Sequence, residues 1–423
     1  MKDEFLKIRE FYTNYGINIL SQILNIIFSI VPVLLISNIL GSEGKGTVVI
    51  FFLIIQYFQI FGGLGVSGSA IYFVSKSESN KLEVSGELFF LSIVLSVLSM
   101  VIFLPSAYFY YRANLSIDIF LLLPLGTIII FCSITNNISQ HIFIGLKKFI
   151  SFSIISNSSL FFSSIIIALI IFVKADIQTI IFGYTLSHIL SFFFSMYLHF
   201  RNKTKSLLKY DLNIFMPYIR YGLKSYLGRI LWRVFDKLDY LILSFFVSVS
   251  AIGVYSISYM FSELIVLFAT TISSLITTYV AGQNSNEYEK IISKTLRILF
   301  FIIILFAILL YIVSDYLIEY LFIDEFSSSI IPLKILLPGM TFLALGKIMA
   351  SYLAGKGMPG LQSYAISISL LIAIFTNFIL IPLYGINGAA ISTTISFISY
   401  FLMIYYLFNK HTNISIYNII APR

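Results

Sequence analysis

The sequence has little with which to face water. Asp, Glu, Lys and Arg make up 11% of its 423 residues and the apolar set AVILMFWYC reaches 59%. An ordinary soluble domain carries about 25% charged residues, so lipid is the expected solvent and a soluble enzyme is excluded. The net charge of +8 therefore has to be mapped against a membrane before it says anything about partners, and no nucleic acid is expected among them. The single cysteine, Cys132, lies inside an apolar run, allows no internal disulfide and reads as a small core residue. With four scattered histidines and no glycine-rich loop after a strand, no metal site, no cofactor and no catalytic use of ATP is expected. Movement across a membrane would then draw on an ion gradient, the membrane potential or the substrate's own gradient.

Long apolar runs are what the sequence has in quantity. At about twenty residues per crossing, helices are expected near 13–39, 47–74, 86–111, 118–145, 151–173, 177–200, 219–246, 251–280, 294–321, 330–354, 361–382 and 388–408. The first run is longer than the ~7–15 residues of a signal-peptide core and reads as a membrane helix. Connections are short apart from a polar stretch after Arg201. The expected organisation is a six-helix bundle in 1–205, a cytoplasmic linker in 206–217 and a second six-helix bundle in 218–423.

Positive charge tests that count independently. Eighteen Lys and Arg residues fall on the side of the N-terminus and only Lys45, Arg112, Lys174 and Lys334 on the other. The alternation holds at every loop, and it predicts that both termini are cytoplasmic. The halves also match one another. Tyr15-Gly16 opens the first helix of one and Tyr221-Gly222 that of the other, and each helix is followed by a connection ending in glycine, Gly46 or Gly253. Gly145-Leu-Lys-Lys pairs with Gly355-Lys-Gly-Met-Pro, and Gly183-Tyr-Thr-Leu-Ser with Gly388-Ala-Ala-Ile-Ser. The expected fold is an all-α integral membrane protein of about twelve helices in two bundles related by a pseudo-two-fold repeat. That is a transporter architecture.

Helix seven carries charges that a lipid-facing span does not tolerate: Lys224, Arg229, Arg233, Asp236, Lys237 and Asp239. At ~100° per residue, Arg229, Arg233, Asp236, Tyr240 and Tyr226 share one narrow stripe. Two readings stand. Arg233 and Asp236, three residues apart, neutralise each other in a structural contact; or Arg229, Arg233 and Lys237 line a wet cationic wall suited to phosphate or carboxylate. Glu263 and Lys347 lie mid-helix in the second half and need a partner or water, as cavity-lining or as structurally paired groups. His141 and His188 read as hydrogen-bonded core residues. Phe61-GGLGVSGSA in helix two is expected to pack closely or to bend, and Pro32, Pro124 and Pro338 interrupt other helices.

Four segments in order, Phe61-GGLGVSGSAIYFVSK, Phe235-DKLDYLILSFFVSVSAIGVYSISYMFSEL, Tyr352-LAGKGMP and Ile381-PLYGINGAAISTTIS, resemble the polysaccharide flippases of the O-antigen (Wzx) type. Those belong to the multidrug/oligosaccharidyl-lipid/polysaccharide exporter superfamily. The resemblance spans nearly the whole chain. It implies movement of an undecaprenyl-pyrophosphate-linked oligosaccharide across a bacterial inner membrane by alternating access. Basic residues in a central cavity would face the pyrophosphate, which makes Arg229, Arg233, Asp236, Lys237, Tyr226, Tyr240, Glu263 and Lys347 the candidate substrate-binding set. Partners under this reading are the lipid-linked oligosaccharide, the bilayer, a coupling ion (H+ or Na+) and polysaccharide polymerase machinery. Peptidoglycan-precursor flippases of the superfamily have fourteen spans, and its drug/cation antiporters commonly carry an acid in helix one; between Thr13 and Leu40 there is none. An ion-coupled drug or metabolite antiporter on the same frame is the alternative, with Glu263, Asp236 and Asp239 as its ion-binding candidates. A membrane polysaccharide polymerase is third, and the short outer loops count against it.

Overall fold

The computed structural model describes residues 2–77, 79–115, 119–170, 176–202, 212–280 and 286–412. Its elements are α1 (Lys2–Gly62), α2 (Val66–Lys76), α3 (Lys81–Asn114), α4 (Ile119–Gly145), α5 (Phe149–Ile170), α6 (Ile177–Arg201), α7 (Leu212–Phe246), α8 (Val249–Val280), α9 (Asn286–Leu321), a short 3-10 turn (Asp324–Ser329), α10 (Ile330–Gly355) and α11 (Gly360–His411). Among the described residues, nine helices are long and apolar enough to cross a membrane. Two of these, Leu20–Gly62 and Gly360–His411, run for 43 and 52 residues, enough for two crossings each at ~1.5 Å per residue over ~30 Å of hydrocarbon. With α7, too charged for that group of nine, the crossings come to the expected twelve.

The double-length helices reverse at single glycines. Gly41 (φ 66°, ψ −167°) divides α1 and Gly385 (φ 56°, ψ −130°) divides α11, conformations that residues with a Cβ rarely adopt. The sequence suggested open connections at both places; helix instead runs up to the glycine from each side. The second expected span is interrupted. Between α1 and α2, Gly63, Leu64 and Gly65 form a turn in which Leu64 and Gly65 are left-handed (φ 42° and 72°). The glycine-rich segment thus both bends and packs, since a Cβ on Gly65 would lie 2.5 Å from the carbonyl oxygen of Gly222. The helices run through Pro32, Pro124 and Pro338. The expected linker falls partly on residues 203–211, which lie outside the described residues, and its last part, 212–217, is the start of α7.

The chain separates into two compact units, Met1–Leu227 and Gly228–Arg423. In the first, α3 packs chiefly on α4, α5 on α6 and α1 on α5; in the second, α10 is central and packs on α8, α11 and α9. The internal repeat recurs in the packing of each unit. A Cβ on Gly145, at the end of α4, would lie 2.8 Å from Cβ of Val74, and a Cβ on Gly355, at the end of α10, 2.8 Å from Cβ of Val280. The two helices end in the same cap. Lys148 N–H donates to the Phe143 carbonyl and Lys147 N–H to Ile144, as Met358 does to Leu353 and Gly357 to Ala354. Lys147 and Gly357 take the left-handed conformation (φ 58° and 83°) that this motif requires at the residue after the cap.

Candidate functional site

Three charged residues of α7 in the second unit, Arg233, Asp236 and Lys237, converge on one cluster. Asp236 is its centre. One carboxylate oxygen of Asp236 accepts from the Tyr259 hydroxyl at 3.0 Å, and the other lies 3.7 Å from the Arg233 guanidinium and 3.6 Å from the Lys237 amine. Both separations exceed hydrogen-bonding distance, so Asp236 is neutralised without being clamped. The side chain of Arg233 stays 43% exposed while that of Asp236 is 14% exposed.

Aromatic rings hold the other cations. The Lys237 amine lies 4.1 Å from the ring centre of Tyr259 and 5.6 Å from that of Tyr240, and the Lys347 amine 4.4 Å from that of Trp232. A ring face attracts an ammonium with roughly 0.5–2 kcal/mol and leaves its N–H groups able to turn to a better acceptor. Lys347, from α10, is within electrostatic reach of Asp236 and Glu263, and Glu263, one turn beyond Tyr259 on α8, reaches Lys237. Tyr240, Tyr255 and Tyr259 pack with ring centres 5.3–6.3 Å apart, and Trp232 stands edge-on to Phe235 and Tyr400.

Asp239 is held in another manner. It is 4% exposed and accepts from the Tyr255 hydroxyl at 2.6 Å, the Thr393 hydroxyl at 3.1 Å and its neighbour Tyr240 N–H at 2.8 Å. Three hydrogen bonds from α7, α8 and α11 fix this carboxylate as a buried acceptor.

Of the residues singled out in the sequence, Arg233, Asp236, Lys237, Tyr240, Glu263 and Lys347 are brought together in this unit. Arg229 is exposed. Tyr226 belongs to the first unit, where it is buried and its hydroxyl donates to the Ile60 carbonyl beside the helix break. His141 and His188 each bond the carbonyl four residues earlier on their own helix, at 2.7 and 2.9 Å. Sequence reasoning passed over Trp232, Tyr255, Tyr259 and Thr393. The four-residue spacing of Tyr255 and Tyr259, which puts both on one face of α8, was the available signal for two of them.

Residues 11–276 match the family described as "Polysaccharide biosynthesis protein". Over 186 residues the chain is 27% identical to a probable low-salt glycan biosynthesis flippase of Haloferax volcanii, covering 43% of this chain and 38% of that one. Over 215 residues it is 26% identical to an uncharacterized membrane protein of Methanocaldococcus jannaschii, covering 50% of each. The chain thus spans half or less of the length of these two curated relatives. Among solved structures it resembles an inward-facing multidrug resistance MATE family transporter of the MOP superfamily, with TM-score 0.75, 14% identity and coverage of 92% of this chain and 94% of that one. It resembles equally the lipid II flippase MurJ in an inward closed conformation, with TM-score 0.76, 19% identity and coverage of 96% and 89%. At such identities the likeness is one of fold: the chain has the fold of these transporter structures. With the family match extending over more than half of its length, the chain belongs to the polysaccharide biosynthesis protein family.

Proposed function

We propose that the chain is a flippase for an oligosaccharide carried on a polyprenyl pyrophosphate, the undecaprenyl-linked O-antigen or related surface-polysaccharide repeat unit, and works by alternating access in a bacterial cytoplasmic membrane with both termini inside. The two compact units, Met1–Leu227 and Gly228–Arg423, are the bodies that move. Arg233, Lys237 and Lys347 receive the anionic head; Tyr240 and the neighbouring rings hold the two lysines in place; Asp236 and Glu263 keep the cations tolerable in the membrane until the head arrives.

The observation that carries this reading is Arg233. Its guanidinium is 43% exposed and its nearest carboxylate oxygen is 3.7 Å away, so the planar fork that suits a phosphate is not spent on a bidentate ion pair. Arg233→Lys, which keeps the charge and loses the fork, should lose most export activity, and Arg233→Ala nearly all of it, with membrane abundance retained. If Arg233 is instead only the structural partner of Asp236, each single change should lower abundance and the double change Arg233→Ala with Asp236→Ala should restore it. Surface-glycan export and membrane abundance are to be measured side by side. Normal export by a well-expressed double variant would overturn the proposal.

A further inference from the structure

The first unit contains a cation that the cluster on α7 does not use. The chain reverses at Gly41 and the second helix of α1 starts there; Lys45 stands at its opening, between Gly44 and Gly46. Lys45 is 7% exposed. Among the described residues, no hydrogen bond, ion pair or ring contact reaches it and no acidic group lies near enough to act on it. At this end of the unit Glu43 is exposed, and Asp176 accepts from Thr179 N–H in the capping box of α6. Nearby Ile36, Val48, Ile167 and Ile180 form an apolar cluster. An ammonium buried in such surroundings is costly unless an anion accompanies it.

Packing does not require it either. The repeat that pairs Gly46 with Gly253 puts Ile252 at the matching place, and Ile252 is 1% exposed. The frame accepts an apolar side chain here, and the first half carries a lysine.

We propose that Lys45 and the opening turn of the second helix of α1 form an anion site that takes a phosphate group. The first N–H groups of a helix lack partners within it and carry its positive pole. Helical side chains lean toward the N-terminus, which brings the Lys45 amine to the same end as those N–H groups. Amine and main-chain N–H groups together match the several oxygens of a phosphate. The phosphate comes from the headgroup of a phospholipid in the adjoining leaflet or from the pyrophosphate of a passing lipid carrier.

The test uses the full chain in an Arg233→Ala background, so that the cluster on α7 does not contribute. One arm titrates inorganic pyrophosphate against the detergent-purified protein and reads thermal shift. The other reconstitutes it with phosphatidylglycerol or phosphatidylcholine and reads retained lipid by native mass spectrometry. The expected result is binding in one arm that weakens at least tenfold in Arg233→Ala with Lys45→Ile, and survives in part with Lys45→Arg. Isoleucine is the residue the second repeat carries at this place, so the variant should fold; if it does not, Lys45→Met serves in its place. Binding of pyrophosphate assigns the site to a free or carried pyrophosphate, and selective retention of phosphatidylglycerol assigns it to a headgroup. Equal binding with and without Lys45 in both arms, or no binding in either, overturns the proposal.

Discussion

Two carboxylates three residues apart on α7 are treated in opposite ways. Asp236 has cations 3.6 and 3.7 Å away and one tyrosine hydroxyl; Asp239 has no ion pair among the described residues and three hydrogen-bond donors. Helical periodicity anticipates part of this. At ~100° per residue Asp239 falls about 80° away from Arg229, off the stripe that contains Asp236. What the sequence does not convey is who supplies the donors, because Tyr255 and Thr393 come from other helices. The consequence is testable. In Asp239→Asn an amide N–H2 replaces one oxygen and faces a donor, and a buried donor left without an acceptor costs about 1–3 kcal/mol. Asp239→Asn should therefore lower the apparent melting temperature of the purified protein by several degrees, and Tyr255→Phe, which removes one donor and leaves the carboxylate, by less. An Asp239→Asn variant that melts with the wild type would mean that this carboxylate does not tie the three helices together.

At the scale of elements, α7 is the helix whose parts have different surroundings. Its first part is fastened within the first unit at the break between α1 and α2: Tyr226 donates to Ile60, the Ser69 hydroxyl donates to the Tyr218 carbonyl at 2.6 Å, and Tyr221 stacks on Tyr72 with ring centres 4.4 Å apart. Gly65 and Gly222 make this approach possible, since a Cβ on Gly222 would lie 2.8 Å from the Leu64 carbonyl oxygen and Gly65 also needs its positive φ. The sequence made the glycine cluster visible and left open whether it packs or bends; the surface that meets it was hidden because it lies in another helix. Tyr15-Gly16 and Tyr221-Gly222 match as sequence and differ in use, for a Cβ on Gly16 would meet nothing within 4 Å. Gly65→Ala and Gly222→Ala should each sharply reduce membrane abundance and thermal stability, combining backbone strain or a steric clash with the loss of this contact. Gly16→Ala should be neutral or slightly stabilising, as expected of alanine in an open helix position. Equal tolerance of all three, read by fluorescence-detected size exclusion, would remove the close approach from the account.

At the scale of the whole molecule, the crossings were legible because bilayer thickness fixes run length and each short connection leaves a charge signature. The reversals at Gly41 and Gly385 were less so, since helix and apolar character continue up to the turn on both sides and only the dihedral angles mark it. Orientation rests on the positive charges, and the described structure supplies good reporters for it. Lys147 and Arg112 are exposed and sit at opposite ends of their helices' alternation, Lys147 after the fourth crossing and Arg112 after the third. Cys132 is 3% exposed, so a Cys132→Ser background should be close to native and free of competing thiol. If the excess of Lys and Arg marks the cytoplasm, then cysteine at position 112 should react in whole cells with a membrane-impermeant maleimide, and cysteine at 147 only after the cells are opened. The reverse pattern would invert the protein and turn the direction of transport with it. Labelling of both positions from outside would mean that α4 does not cross the membrane between them, and the charge alternation would then have another cause.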